Sequence, residues 1–172
     1  MNLIFRPIEE KDNKDIANLI RGVFREFNIH RHGTVYFDPT TDNLFELFRA
    51  PGSEYWIAEE NSVIIGGCGV YPTPGLPEGC AELVKFYLSA TQRGRGIGRN
   101  LMEKIFESAK KYGYRQLYLE SLPELNRAIS LYEKAGFKFI SGTMGKSGHF
   151  GCNIWMLKDL WARNLLKHFQ VS

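Results

Sequence analysis

A chain of 172 residues, 44% apolar and 24% charged, is long enough to enclose one hydrophobic core and has the composition of an ordinary globular domain. Its net charge of +3 is too mild to mark a nucleic-acid binder, and no apolar run is long enough to cross a bilayer. Cys68, Cys80 and Cys152 are odd in number, far apart and without a C-x-x-C pair, which argues against a disulfide framework or zinc knuckle and for reduced, intracellular thiols.

In chain order, LIFRP at 3 to 7 predicts a short first strand. The sequence turns charged directly after it, so no signal peptide is expected and a cytoplasmic location is. Ile16, Leu19, Ile20, Val23, Phe24 and Phe27 then recur at the spacing of a helix with one buried face, with Asp12 and Asp15 suited to its N-terminus. Residues 28 to 41 have no clear period and hold His30, His32, Tyr36 and Pro39, and DNLFELF (42 to 48) predicts a short second helix. EYWIAEE and VIIGGCGVY flank Asn61-Ser62 as an antiparallel hairpin, and PTPGLPEG (72 to 79) is a loop. CAELVKFYLS (80 to 89) predicts a strand whose alternate residues Glu82, Val84, Phe86 and Leu88 share one face.

After a glycine-rich stretch, Ile97, Leu101, Ile105, Ala109 and Tyr112 run at helical spacing to Gly113. A strand at 115 to 121, a helix at 126 to 135, and strands at 137 to 140 and 153 to 158 follow. LWARNLLKHF predicts a terminal helix whose Leu165, Leu166 and Phe169 form an apolar face, for packing or for a homodimer contact. The whole, 1 to 172, is expected to be one domain of mixed α/β order.

Three glycines and three arginines fall between Gln92 and Arg99. Glycine weakens a helix interior and clustered like charges repel, so a stable fold gains little from this stretch on its own account. A ligand explains it better. Glycines between strand and helix let a backbone approach closely, and the helix start presents unpaired N–H groups to an anion such as phosphate. No lysine follows as a Walker loop requires, and the G-x-G-x-G spacing, past the chain's midpoint, is not a dinucleotide fingerprint.

Arg93, Gly96 and Gly98 meet a (Gln or Arg)-x-x-Gly-x-(Gly or Ala) motif after AELVKFYL, and NRAISLYEKAGF follows from Asn126. Together these resemble the GNAT superfamily of acetyl-CoA-dependent N-acetyltransferases, over residues 3 to 158 and most specifically 80 to 137. Ala90, where many members carry proline, is a departure. The resemblance implies a central mixed, mostly antiparallel, twisted sheet of about seven strands flanked by helices. It implies acetyl-CoA as co-substrate, no metal, and an amine of a small molecule or peptide as acceptor, with no nucleic-acid or membrane partner. It assigns the pyrophosphate to the backbone of Gly94, Gly96, Ile97, Gly98 and Arg99, with Arg93 and Arg95 beside it. The pantetheine arm falls to Phe86 and Leu88, whose N–H would also face the thioester oxygen.

Several side chains keep two readings. Asn126 suits a helix N-cap or a contact to pantetheine. Tyr132 shares a helix face with Ala128, Leu131 and Ala135, as a core residue, or aims its hydroxyl at the coenzyme sulfur. Glu82 is awkward in an apolar strand: it is either solvated or salt-bridged, or it is the base that deprotonates the incoming amine. His30, His32 and Tyr36, with His149 before the last strand, are candidates for the acceptor site, and the H-x-H pair has no partner at metal-binding spacing. The alternative to an enzyme is a non-catalytic acyl-CoA-binding sensor with the same fold.

Overall fold

The computed structural model of the chain describes residues 2–161. The elements are β1 (Leu3–Pro7), α1 (Asn13–Glu26), α2 (Leu44–Leu47), β2 (Glu54–Glu60), β3 (Val63–Tyr71), β4 (Cys80–Leu88), α3 (Ile97–Lys111), β5 (Gln116–Ser121), α4 (Asn126–Lys134), β6 (Lys138–Phe139) and β7 (Ile154–Asp159). The strands form one sheet in the order β1-β2-β3-β4-β5-β7-β6. Among the described residues only β4 and β5 pair parallel; the other ladders are antiparallel. This is the expected mixed sheet of seven strands. The predicted terminal helix, and the dimer contact expected of it, lie outside the described residues. Among the described residues no helix is long and apolar enough to cross a membrane.

Each face of the sheet is covered because each helix has an apolar stripe. Ile16, Ile20 and Phe24 of α1 pack with Leu44, Tyr55 and Ile57 on one side. Ile97, Leu101, Met102, Ile105 and Ala109 of α3 pack with Val70, Leu83 and Leu117 on the other. A fully buried side chain of this size contributes about 1.5–3 kcal/mol. Asp12 precedes α1 without capping it. Its carboxylate accepts two bonds from the Arg6 guanidinium (2.7 and 2.9 Å), and Arg6 also reaches Glu59, tying the helix start to β1 and β2. The hairpin turn at Asn61 and Ser62 has φ of 50° and 67°, the left-handed pair that a two-residue turn between twisted strands needs.

Two irregularities of β4 position the site. First, β4 pairs with β5 only from Cys80–Gln116 to Glu82–Tyr118, and beyond Glu82 the strands separate although both continue. Second, Gly67 lies opposite Tyr87 and Gly69 opposite Val84, so Lys85 and Phe86 together face Cys68. This is a β-bulge, with Lys85 at φ 50°.

The bulge overturns one expectation. Val84 packs with the α1 side, but Phe86 and Leu88 pack with Leu83 on the α3 side. Glu82 therefore does not share a face with Phe86 and Leu88, because one inserted residue reverses every side chain after it. The N-cap reading of Asn126 also fails: Leu125 holds that position, and Asn126 is the exposed first residue of α4.

Candidate active site

The separation of β4 from β5 leaves a narrow cleft of about 40 Å³ that Phe86, Glu120 and Tyr132 help to line. On the α1 side lies a larger cavity of about 490 Å³, closed by the segment after α1 and the loop before β7. Glu82, Val84, Lys85 and His149 line both spaces. A carboxylate at their common wall is the central feature of the site.

Glu82 is 3% exposed. Burial pushes its carboxyl up to about 7, against the opposing Thr73 hydroxyl bond to Oε2; the Glu120 charge adds to the rise, and His149 and Lys85 oppose it. Glu120 is held in place by the Tyr118 hydroxyl (2.9 Å) and by Ser147 Oγ (3.0 Å to each oxygen). Polar side-chain atoms of Glu82, Glu120 and His149 lie within 4.8 Å of one another. His149 Nε2 is 2.9 Å from Asp38 Oδ2, which also accepts from Lys85 Nζ at 2.9 Å. Lys85 owes its inward aim to the bulge, and its side chain is only 3% exposed. Burial alone would raise the Asp38 carboxyl, but bonds from His149, Thr40 and Lys85 and the Lys85 charge hold it well below the usual range. Asp38 thus joins the two loops that close the cavity to the floor of β4.

At the end of β4 the Ser89 N–H donates to Ile65 O at 2.9 Å. By alternation the polar backbone of Tyr87 also faces β3, which leaves that of Phe86 and Leu88 on the open side. There follows the glycine loop, with Gly94 and Gly96 at φ 78° and 79°, a conformation that a side chain strains. The N–H of Asn100 reaches Gly96 O at 3.1 Å, whereas those of Gly94 through Arg99 have no partner among the described residues. That row of donors at the start of a 15-residue helix fits an anion.

The arginines are more occupied than their sequence suggests. Arg93 binds both oxygens of Glu26 (2.6 and 2.8 Å) and the carbonyl of Leu88 (3.1 Å). Arg95 pairs with Glu60 at 2.7 and 3.0 Å, and Arg99 with Glu103 at 3.1 Å. The arginine side chains of the loop each have an acidic partner, so its unpartnered donors among the described residues are mainly backbone N–H groups.

Of the other predicted residues, Tyr132 is buried between Phe86 and Phe137 (ring centroids 5.8 Å to each), as a core residue would be, and it also lines the cleft. Its hydroxyl makes no hydrogen bond among the described residues, and burial moves it well above the ordinary tyrosine value. Asn126 does not line the cleft. His32 and His149 line the cavity, but His30 and Tyr36 do not. Tyr36 turns toward Phe24, with His30 edge-on to it, because the turn at 34–37 sends its neighbours Phe37 and Asp38 inward instead. Sequence reasoning missed Asp38, Thr73, Lys85 and Glu120. Only Lys85 carried a signal, as a second charge inside an apolar strand.

The acetyltransferase (GNAT) family is matched by residues 16–137. A protein of Escherichia coli K12 described as an uncharacterized N-acetyltransferase, YjgM, is 34% identical over 158 residues, 91% of this chain and 95% of its own length. Among solved structures, a GNAT-family acetyltransferase from Staphylococcus aureus Mu50 is similar with a TM-score of 0.80 at 19% identity, over 92% of this chain and 99% of its own. YncA from Salmonella typhimurium, determined with acetyl-CoA, is similar with a TM-score of 0.73 at 19% identity, over 95% and 96%.

Proposed function

Because the chain belongs to the GNAT family of acetyltransferases, we propose that it transfers the acetyl group of acetyl-CoA to an amine of a small molecule or peptide, with Glu82 as the base. The observation that carries this reading is the position of Glu82 at the wall common to the cleft and the larger cavity. The larger cavity takes the acceptor, and the pantetheine arm lies along the opening between β4 and β5 with its thioester at the mouth of the cleft. The N–H groups of Gly94, Gly96, Ile97, Gly98 and Arg99 hold the pyrophosphate. The open backbone edge at Phe86 and Leu88 lies along the arm, with Leu88 N–H toward the thioester oxygen, where negative charge develops.

An amine with a pKa near 10.4 enters as an ammonium ion. Glu82, with its carboxyl near 7, is ionised in about half of the molecules at neutral pH and takes one proton. The freed lone pair attacks the thioester carbonyl, the C–S bond breaks, and the second proton shed by the nitrogen passes through the Tyr132 hydroxyl or water to the departing sulfur, which leaves the amide and the free thiol of coenzyme A. No metal enters the scheme. Its test is release of free thiol from acetyl-CoA across a panel of amines, polyamines, amino acids and peptides. If no acceptor raises release above that of acetyl-CoA alone while acetyl-CoA still binds, the chain is a sensor and not a transferase.

Two further results are expected. Gly96→Val forces a side chain into left-handed backbone and distorts the cradle, so by calorimetry it should weaken acetyl-CoA binding at least tenfold, on the order of 1.4 kcal/mol. Arg95→Ala, which removes a group already paired with Glu60, should weaken it less than threefold, and the reverse order would misplace the cradle. Tyr132→Phe keeps the ring between Phe86 and Phe137 and removes only the hydroxyl. Since a thiol of pKa about 8.5 leaves fairly well unaided, turnover should fall by about tenfold to a thousandfold with little change in acetyl-CoA affinity. Wild-type turnover would return Tyr132 to the core.

A further inference from the structure

The mouth of the acceptor cavity is aromatic. Phe150 is 82% exposed and Phe37 44%, and both line the cavity together with exposed His32. The His32 and Phe37 rings stack, with centroids 4.2 Å apart and planes 16° apart. Single exposed apolar residues call for no explanation, but a group of rings at one opening does. Among the described residues the other exposed large aromatic side chains, Tyr112, Phe139 and Trp161, do not line the cavity.

These rings are held in place by the backbone beneath them. Phe150 lies over Gly33, where a Cβ would come within 2.6 Å of its ring, and Gly33 has φ 71°. The Gly151 N–H donates to Gly33 O at 2.8 Å, and the His149–Asp38 contact ties the residues next to Phe150 and Phe37. Two loops distant in sequence are therefore stitched together so that they present flat apolar surface to solvent. The floor has the opposite chemistry: Asp38 is taken up by Lys85 and His149, and Glu82 is the carboxylate there without a cationic partner among the described residues.

One occupant satisfies both ends. We propose that the acceptor is a small aryl-alkyl primary amine, its amino group at Glu82 and its flat apolar body against Phe37, His32 and Phe150. The inference rests on the acetyl-transfer reading of the same cavity. A volume of about 490 Å³ is in the range of small-molecule pockets, about 300–1,000 Å³.

The test compares 2-phenylethylamine with n-butylamine and with a lysine-containing peptide lacking aromatic residues. Both acetyl transfer and direct binding are measured, the latter by ligand-observed NMR, on the full chain and on Phe150→Ala and Phe37→Ala. Phe150 is exposed, so its loss leaves the fold intact. The aryl amine is expected to exceed butylamine in kcat/KM by about tenfold or more, through ring burial and stacking. Each substitution should bring that ratio below about threefold. Equal use of both amines, preference for the peptide, or a ratio unmoved by both substitutions overturns the proposal. If no amine is acetylated, the transfer reading fails and binding decides separately: aryl-selective binding lost in Phe150→Ala upholds the aromatic mouth, and unselective or absent binding overturns it.

Discussion

Glu82→Gln is expected to bind acetyl-CoA as tightly as the parent chain and to lose about 10²–10⁴ in turnover at pH 7. The size follows from the acceptor. With an amine pKa near 10.4, only about one molecule in 2,500 is neutral at pH 7, so without a base the enzyme must wait for that fraction. Glutamine keeps the shape of glutamate, and its amide oxygen can still accept from the Thr73 hydroxyl, so the buried wall between cavity and cleft stays packed. The substitution also removes a carboxylate whose ionisation burial disfavours, so stability should hold or rise slightly. Steady-state assay with saturating acetyl-CoA checks the expectation. Turnover at the parent rate would return Glu82 to a structural role.

Asp38→Asn should cost about 3–5 kcal/mol of stability, the usual consequence of removing one partner from a buried ion pair. Lys85 is the reason. Its ammonium lies under the cavity floor with the Asp38 carboxylate 2.9 Å away, and asparagine supplies shape without charge. His149 loses its partner in the same step, so the joint between the two cavity loops weakens as well. Denaturant unfolding should show the loss as a lower midpoint with little change in slope. Adding Lys85→Met should recover most of it, since the buried ammonium that the first substitution leaves unpaired is then gone. The pH dependence has a definite sign. The folded Asp38 carboxyl is held well below its unfolded value of 3.8, so its contribution is present in full above that value. It is lost as pH falls through the folded value, and parent and variant should converge only in strong acid. A loss under about 1 kcal/mol at pH 7 would mean that Lys85 does not depend on this partner.

Much of the architecture was legible because its causes are local. The apolar stripes of α1 and α3, the turn at Asn61-Ser62 and the left-handed glycines at 94 and 96 each announce themselves within a few residues. Glu82 was legible for a related reason, a charge where an apolar strand had no use for one. What stayed hidden depends on register or on distance along the chain. The bulge at Lys85 cannot be seen in a period-2 pattern, and it decides which way Phe86 and Leu88 face. Asp38 and His149 meet across 111 positions of sequence, so neither points to the other. In the aperiodic segment after α1 nothing distinguishes Tyr36, which turns to the core, from Phe37, which turns to the cavity.

The claim that Glu82 takes the proton of the acceptor is tested most directly by kcat/KM for one acceptor amine as a function of pH, in the parent chain and in Glu82→Gln. Burial sets the carboxyl near 7, so the parent rate should bend near that pH as Glu82 ionises. The variant should lack that bend and climb about tenfold per pH unit toward the pKa of the amine, so that the two rates approach each other in alkali. Two profiles of the same shape, displaced by a constant factor or not at all, would contradict it.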